Sequence, residues 1–102
     1  MAELPNPAPV LNLILAFRAS KTMFTAVSMG IFDRMDDAGA DAATLAREFG
    51  ANVDSLERLL DSCVALGLIQ KQGSVYSNLP VARTYLTRSS PNTLVDLRND
   101  LR

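Results

Sequence analysis

The sequence predicts a mainly α-helical domain with a winged-helix-like architecture, a helix-turn-helix plus a β-hairpin wing preceded by long N-terminal helices. Three patterns predict it: a long apolar helical stretch near the N-terminus, two short capped helices, and two short strands around a glycine turn. A chain of 102 residues has room for one domain, assigned here to residues 9–92.

The first helical pattern follows a flexible leader at residues 1–8, where prolines discourage regular structure. It runs from Pro9, which suits a first helical turn, to about Met29, and Gly30 is placed to end it as a left-handed cap. Polar residues at 20–22 leave open whether this is one helix or two. Apolar side chains cover most of the circumference, so the pattern requires burial on more than one face.

The middle of the chain predicts a helical turn, a polar connection and two capped helices. Asp41 and Asn52 are the expected N-caps of these helices. The predicted segments are the turn Ile31–Met35, the connection 36–40, the helix Ala42–Phe49 closed by Gly50, and the helix Val53–Leu66 closed by Gly67.

The remaining segments predict a hairpin and two further helices. Strands at 68–72 and 74–78 flank Gly73, Pro80 opens a helix to Leu86, and residues 93–102 begin another helix.

A winged helix most often indicates DNA binding, but the charge of this one opposes it. Specific DNA binding draws affinity from neutralised phosphates. Between residues 41 and 78, five acids face three bases, a local charge of −2. The acids are Asp41, Glu48, Asp54, Glu57 and Asp61, and the bases are Arg47, Arg58 and Lys71. We therefore expect no nucleic-acid partner, and a DNA-binding transcriptional regulator is the alternative function.

The composition excludes several kinds of catalytic site. Histidine is absent, which removes Ser-His-Asp and Cys-His chemistry and imidazole ligands. Cys63 lies in an apolar helical pattern and is expected to be buried. The methionines at 23, 29 and 35 and the aspartates at 33, 36 and 37 lack the spacing of metal ligands. No catalytic, cofactor-binding or metal-binding residue is predicted in this chain.

The N-terminus indicates neither export nor a membrane span. Glu3 stands where a signal peptide needs positive charge, and the apolar stretch 10–17 is too short to cross a bilayer. A cytoplasmic protein with no membrane partner is expected.

The apolar excess of the first helical region predicts a surface that a second copy covers, because large exposed apolar patches usually mark interfaces. The expected dimer-interface residues share this region: Leu13, Ile14, Phe17, Lys21 and Phe24. The alternative is that the apolar ones pack on the rest of the domain in a monomer.

Several segments resemble the N-terminal region of acetylserotonin O-methyltransferase-like enzymes, and plant caffeic-acid-type and bacterial polyketide-tailoring O-methyltransferases look similar there. The resemblance extends from about Leu11 to Thr93, and the order and spacing of its segments make it specific. These segments are Phe17–Ala26, Met29–Asp33, Leu59–Ile69, Tyr76–Asn78, Tyr85–Leu86 and Ser90–Pro91.

The resemblance implies a dimerisation domain that forms a homodimer and helps to wall a substrate pocket. Phe17, Ser20 and Phe24 would then line the pocket for a small aromatic hydroxyl substrate, although dimer or core packing is the favoured explanation of these residues. S-adenosylmethionine would bind only in the complete enzyme, in a Rossmann-like domain toward which residues 93–102 would lead. The chain is accordingly expected to be inactive alone, as an excised domain, a truncated product or a stand-alone dimerisation module.

Overall fold

A long N-terminal helix leads into a smaller body of short helices and one small sheet. The computed structural model describes residues 3–35 and 38–95, and the molecule measures 59 × 30 × 23 Å along its principal axes. The elements are α1 (Ala8–Met29), α2 (Ile31–Arg34), β1 (Ala40–Asp41), α3 (Ala42–Phe49), α4 (Val53–Ala65), β2 (Ile69–Gln72), β3 (Val75–Asn78) and α5 (Pro80–Tyr85). The predicted mainly helical class is confirmed.

Helix α1 is one continuous element. It begins at Ala8, one residue before the predicted Pro9, and passes through residues 20–22 without the break that their polarity had left open. Gly30 ends it with φ of 84°, a left-handed conformation that favours glycine. The predicted C-cap is therefore confirmed.

Helices α3 and α4 start at the side-chain caps that the sequence predicts. The N–H of Thr44 donates to Oδ1 of Asp41 at 2.7 Å, and this bond lowers the pKa of the Asp41 carboxyl. The N–H of Ser55 donates to Oδ1 of Asn52 at 3.0 Å. Both caps satisfy amides that a helix start leaves unpaired, and α4 ends one residue before the predicted Leu66.

The sheet has three strands where the sequence predicts two. Its order is β1-β3-β2, all antiparallel, with Ala40 opposite Tyr76 in the register of β1 and β3. The predicted hairpin is present, but the interpretation of residues 36–40 as connection alone was wrong at Ala40. A strand of two residues has no periodicity for sequence reasoning to detect.

The segment after the sheet differs in part from its prediction. Helix α5 ends at Tyr85, one residue before the predicted Leu86. Thr93 and Leu94 are not helical, so the predicted start at residue 93 was wrong, whereas Val95 is helical. Residues 96–102, where that prediction continues, lie outside the described residues.

The core lies between α2, α3, α4 and the inner face of the sheet. Helix α1 contributes only Ala26 and Val27 to the fully buried set, both from its last turns. Cys63 is buried as expected, and burial raises the pKa of its thiol to about 11, which keeps it protonated. The largest buried apolar side chains are Ile31, Phe32, Met35, Leu45, Leu60, Ile69 and Tyr76.

Replacement of Leu60 by alanine is expected to destabilise the domain by roughly 2–5 kcal/mol, the cost of a buried cavity. Leu60 is 0% exposed, whereas Leu66, just after the same helix, is 40% exposed. Leu66→Ala is the matched control and should change stability by less than about 1 kcal/mol. Thermal or urea unfolding measures the stability of both variants. Equal losses of stability would contradict the burial of Leu60 on the inner face of α4.

Replacement of Gly39 by alanine is expected to destabilise the sheet, although the backbone of Gly39 has no positive φ. A Cβ at this position would lie 2.5 Å from the carbonyl oxygen of Tyr76 and 2.7 Å from Cγ1 of Val75. Such overpacking costs typically ~1–3 kcal/mol. Ala38→Ser, at the exposed neighbouring residue, is the control, and a Gly39→Ala protein as stable as this control would refute the close approach.

Candidate functional site

The first two-thirds of α1 expose an apolar surface that the rest of the described chain does not cover. We call residues 8–22 of this helix the arm. Leu13 is 71% exposed and Phe17 is 66% exposed, although both are large and apolar. The other exposed large apolar side chains of the arm are Val10, Leu11, Ile14 and Leu15. The alternative in which Leu13, Ile14 and Phe17 form a monomer core is therefore not what the structure has.

A groove of about 630 Å³ runs along one side of α1, from the arm toward the body. We call it the arm groove. It brings together four residues singled out from the sequence, Phe17, Ser20, Lys21 and Phe24. Leu13 and Ile14 lie on the arm outside this lining. The groove is completed by Thr25, Ser28 and Met29.

A second groove of about 250 Å³ lies between α1 and α4, and we call it the body groove. It shares Thr25 and Met29 with the arm groove, so the two grooves are adjacent, and we call the pair the trough. Its other residues are Ala51, Ser55, Leu56 and Leu59. Sequence reasoning missed this half because it depends on how α1 packs against α4. In the sequence, the apolar character of Leu59 was the available signal for this groove; in the structure the residue is half-buried.

Two polar side chains of the hairpin, Lys71 and Tyr76, contact each other and Asp61 on α4. The hydroxyl of Tyr76 donates to Oδ1 of Asp61 at 2.6 Å, and Nζ of Lys71 lies 3.9 Å from the same oxygen. Lys71 also lies 5.0 Å from the centre of the Tyr76 ring. The Tyr76 hydroxyl is the main cause that raises the pKa of Lys71, while burial, then Asp61, raises the pKa of Tyr76.

This cluster bears on nucleic-acid binding, because Lys71 is the base that the hairpin offers. The exposed ion pair neutralises little of the charge of Lys71, but the Asp61 carboxylate beside it would repel a phosphate and so weaken phosphate binding. Asp41 and Glu57 line the adjacent cleft of about 260 Å³ and would repel a phosphate. The geometry thus agrees with the charge balance of the sequence.

The described residues do not fit a metal or S-adenosylmethionine. Within residues 3–35 and 38–95, no three His, Cys, Asp or Glu side chains cluster as metal ligands. A nucleotide-like cofactor usually lies on a glycine-rich turn between a strand and a helix. Here the left-handed glycines Gly30, Gly50, Gly67 and Gly73 each follow a helix or turn the hairpin. No chemical step through a cofactor follows from these residues.

Helix α1 is long and apolar enough, by length and composition, to cross a membrane, and only 11% of its most apolar window is buried. The argument that residues 10–17 are too short was therefore incomplete, because the helix continues to Met29. Length and composition alone do not separate a membrane span from an interface helix, and Arg18 and Lys21 interrupt the apolar surface near its middle.

Comparison with known proteins identifies the family of this fold. The model of the O-methyltransferase dimerisation domain matches residues 11–88. Chicken acetylserotonin O-methyltransferase is 34% identical over 97 residues, which cover 89% of this chain and 28% of that protein. A human probable bifunctional dTTP/UTP pyrophosphatase/methyltransferase protein is 38% identical over 91 residues, which cover 88% of this chain and 15% of that protein.

Solved structures agree with the sequence relatives. Human N-acetylserotonin methyltransferase, in a complex with SAM, superposes with a TM-score of 0.78 at 28% identity. The superposition covers 99% of this chain and 32% of that one. The chain thus spans less than a third of the length of these relatives. The chain belongs to the O-methyltransferase dimerisation domain family, as the resemblance of its segments implied.

Proposed function

We propose that this chain forms the homodimer of an S-adenosylmethionine-dependent O-methyltransferase that acts on a small aromatic hydroxyl compound. The observation that carries the proposal is the uncovered apolar arm of α1. In a family of dimerisation domains, a second copy is the expected cover for such a surface. The names of the relatives, which include acetylserotonin O-methyltransferase, support the reaction and the substrate class.

The trough formed by the two grooves supports a second copy as the partner. From Phe17 to Met29 it follows thirteen residues of α1, or about 18 Å of helix. Its lining is mostly apolar, as is the arm that would enter it from the second copy. In a two-fold dimer each arm would pack along the body groove of the other copy, so part of both uncovered surfaces would be buried together.

The arm groove also supports a role in substrate binding. All of its lining residues belong to α1, so a second copy would have to supply the opposite wall of a closed pocket. Phe17 and Phe24 supply aromatic faces, and Ser20 supplies a hydroxyl that can bond a polar substituent. These residues would bind and orient an acceptor and exclude water, whereas the methyl donor and the base would come from outside this chain.

The winged-helix-like arrangement and the cytoplasmic location are part of the same proposal. Helices α3 and α4 followed by the β2–β3 hairpin support a winged-helix-like arrangement used for protein contact rather than DNA. The engaged Lys71 and the acidic cleft support the absence of nucleic acid. A charge near the middle of a spanning helix costs ~2.5–3.5 kcal/mol, so Arg18 and Lys21 support a dimer rather than a membrane, in a cytoplasmic protein.

Substitution of Phe17 by serine is expected to raise the dimer dissociation constant at least about 100-fold. Each substitution occurs twice in the dimer, and full burial of a large apolar side chain stabilises by ~1.5–3 kcal/mol. Sedimentation across a concentration range measures the constant. Val81→Ser on α5, where Val81 is also exposed, is the matched control and should leave it unchanged. A wild-type chain that stays monomeric at high concentration would refute the dimer.

Substitution of Phe24 by leucine tests the pocket in a complete protein that carries this domain. Loss of the aromatic face should raise the KM for a phenolic acceptor by about 3–10-fold and leave the KM for S-adenosylmethionine unchanged. Initial-rate kinetics measure both constants, and sedimentation of the variant confirms that the dimer persists. Val81→Leu is the control. An equal rise in both constants, or no methyl transfer at all, contradicts the proposed function.

A further inference from the structure

Helix α2 is bonded to three distant parts of the chain through three consecutive residues. The carbonyl of Phe32 accepts a hydrogen bond of 2.8 Å from Nδ2 of the buried Asn78, at the end of β3. The Nε of Arg34 donates to Oε2 of Glu48 on α3 at 2.5 Å. The residue between them, Asp33, is bonded to the segment that follows α5.

Both carboxylate oxygens of Asp33 accept hydrogen bonds from the same residue, Arg88. Its Oδ1 accepts a hydrogen bond of 2.7 Å from the backbone N–H of Arg88, and its Oδ2 accepts one from Nη1 of the Arg88 guanidinium. The two residues are 55 positions apart in the sequence. One carboxylate therefore holds both the main chain and the side chain of Arg88.

We call residues 87–95 the exit segment, because they follow α5. Several other hydrogen bonds of this segment are local. The N–H of Leu94 donates to the carbonyl of Tyr85 at 2.8 Å, and Oγ1 of Thr87 donates to the carbonyl of Arg83 at 2.7 Å. Such bonds shape the segment but do not attach it to α2, which is what the Asp33 carboxylate does.

We propose that Asp33 is a positioning residue that attaches the exit segment to α2 and so fixes the direction in which the chain leaves the domain. Helix α1 joins α2 directly through Gly30, so the arm and the exit segment are both held by this one helix. In a longer protein, whatever follows residue 95 would then be held at a defined angle to the arm. This last consequence rests on the proposed function, whereas the attachment itself does not.

The main-chain bond gives the attachment its strength. An exposed ion pair alone contributes little, because water and salt screen it. A hydrogen bond from a backbone N–H to a carboxylate is stronger than a neutral one and restrains the backbone directly. Asp33 is less exposed than Arg88, at 29% against 47% of the side chain, which further limits screening at the carboxylate.

Hydrogen exchange of the intact chain, followed by NMR at single amides, tests this attachment. In Asp33→Ala, the amides of Arg88 and Leu94 should exchange about tenfold faster or more, the loss expected when a hydrogen bond to a charged group is removed. The amide of Leu60 should keep its wild-type rate. Glu48→Gln is the matched control: it breaks the ion pair on the neighbouring residue of α2 and should leave Arg88 and Leu94 protected.

Asp33→Asn separates the two bonds. The amide oxygen still accepts from the Arg88 N–H, so protection at Arg88 and Leu94 should fall between wild type and Asp33→Ala. Added salt should speed exchange of these amides in the wild type but not in this variant, a response that a purely structural role would not give.

Wild-type exchange at Arg88 and Leu94 in a folded Asp33→Ala protein would overturn the proposal. If Asp33→Ala does not fold, wild-type exchange in Asp33→Asn at low salt would overturn it instead. Sedimentation of the same samples reports the oligomeric state independently. A chain that fails to dimerise yet loses protection on substitution of Asp33 would refute the proposed function and leave this inference standing.

Discussion

The structure depends on the attachment of a long apolar helix to a small body through its last turns alone. Ala26 and Val27 are the residues of α1 that the body buries completely, whereas Leu13 and Phe17 stay mostly in water. Burial of apolar surface is the main favourable contribution to the free energy of folding and association. The arm stays exposed in a single chain, so its apolar surface contributes little to the stability of that chain. A partner that covers the arm would bury this apolar surface, and the match to a dimerisation domain agrees with such a partner.

The body can hold this arm because its own elements are fixed by local polar bonds. Asp41 and Asn52 cap α3 and α4, and Asn78 joins the end of β3 to α2. These bonds satisfy backbone groups that a domain this small could not otherwise bury at low cost. The arm then departs in a single direction, because Gly30 adopts a left-handed conformation between α1 and α2.

Much of this arrangement could be predicted from the sequence, because its signals are local. The N-caps Asp41 and Asn52 can be recognised from the sequence, because each capping side chain accepts from an amide only three residues later. So can the apolar circumference of α1. The strand at Ala40 could not be predicted, because its pairing with Tyr76 is set by the tertiary fold and by the close approach of Gly39.

The candidate site was predictable to the same extent and for the same reason. Phe17, Ser20, Lys21 and Phe24 share one side of α1 because helical spacing places them there, and the arm groove brings them together. The body groove depends on α4 and on Ala51 meeting α1, which no local spacing encodes.

An apolar helix alone does not identify the partner that covers it, but the polar residues of the domain favour some kinds of partner over others. Lys71 is engaged by Asp61 and Tyr76, and Asp41 and Glu57 line the cleft beside it, so the hairpin offers little to a phosphate backbone. Arg18 and Lys21 would be costly at the middle of a bilayer, but at the rim of a protein interface both can stay hydrated while their stems cover apolar surface. An apolar trough continuous with an apolar arm has the same chemistry as that arm, and this self-complementarity favours a second copy of the chain over either alternative.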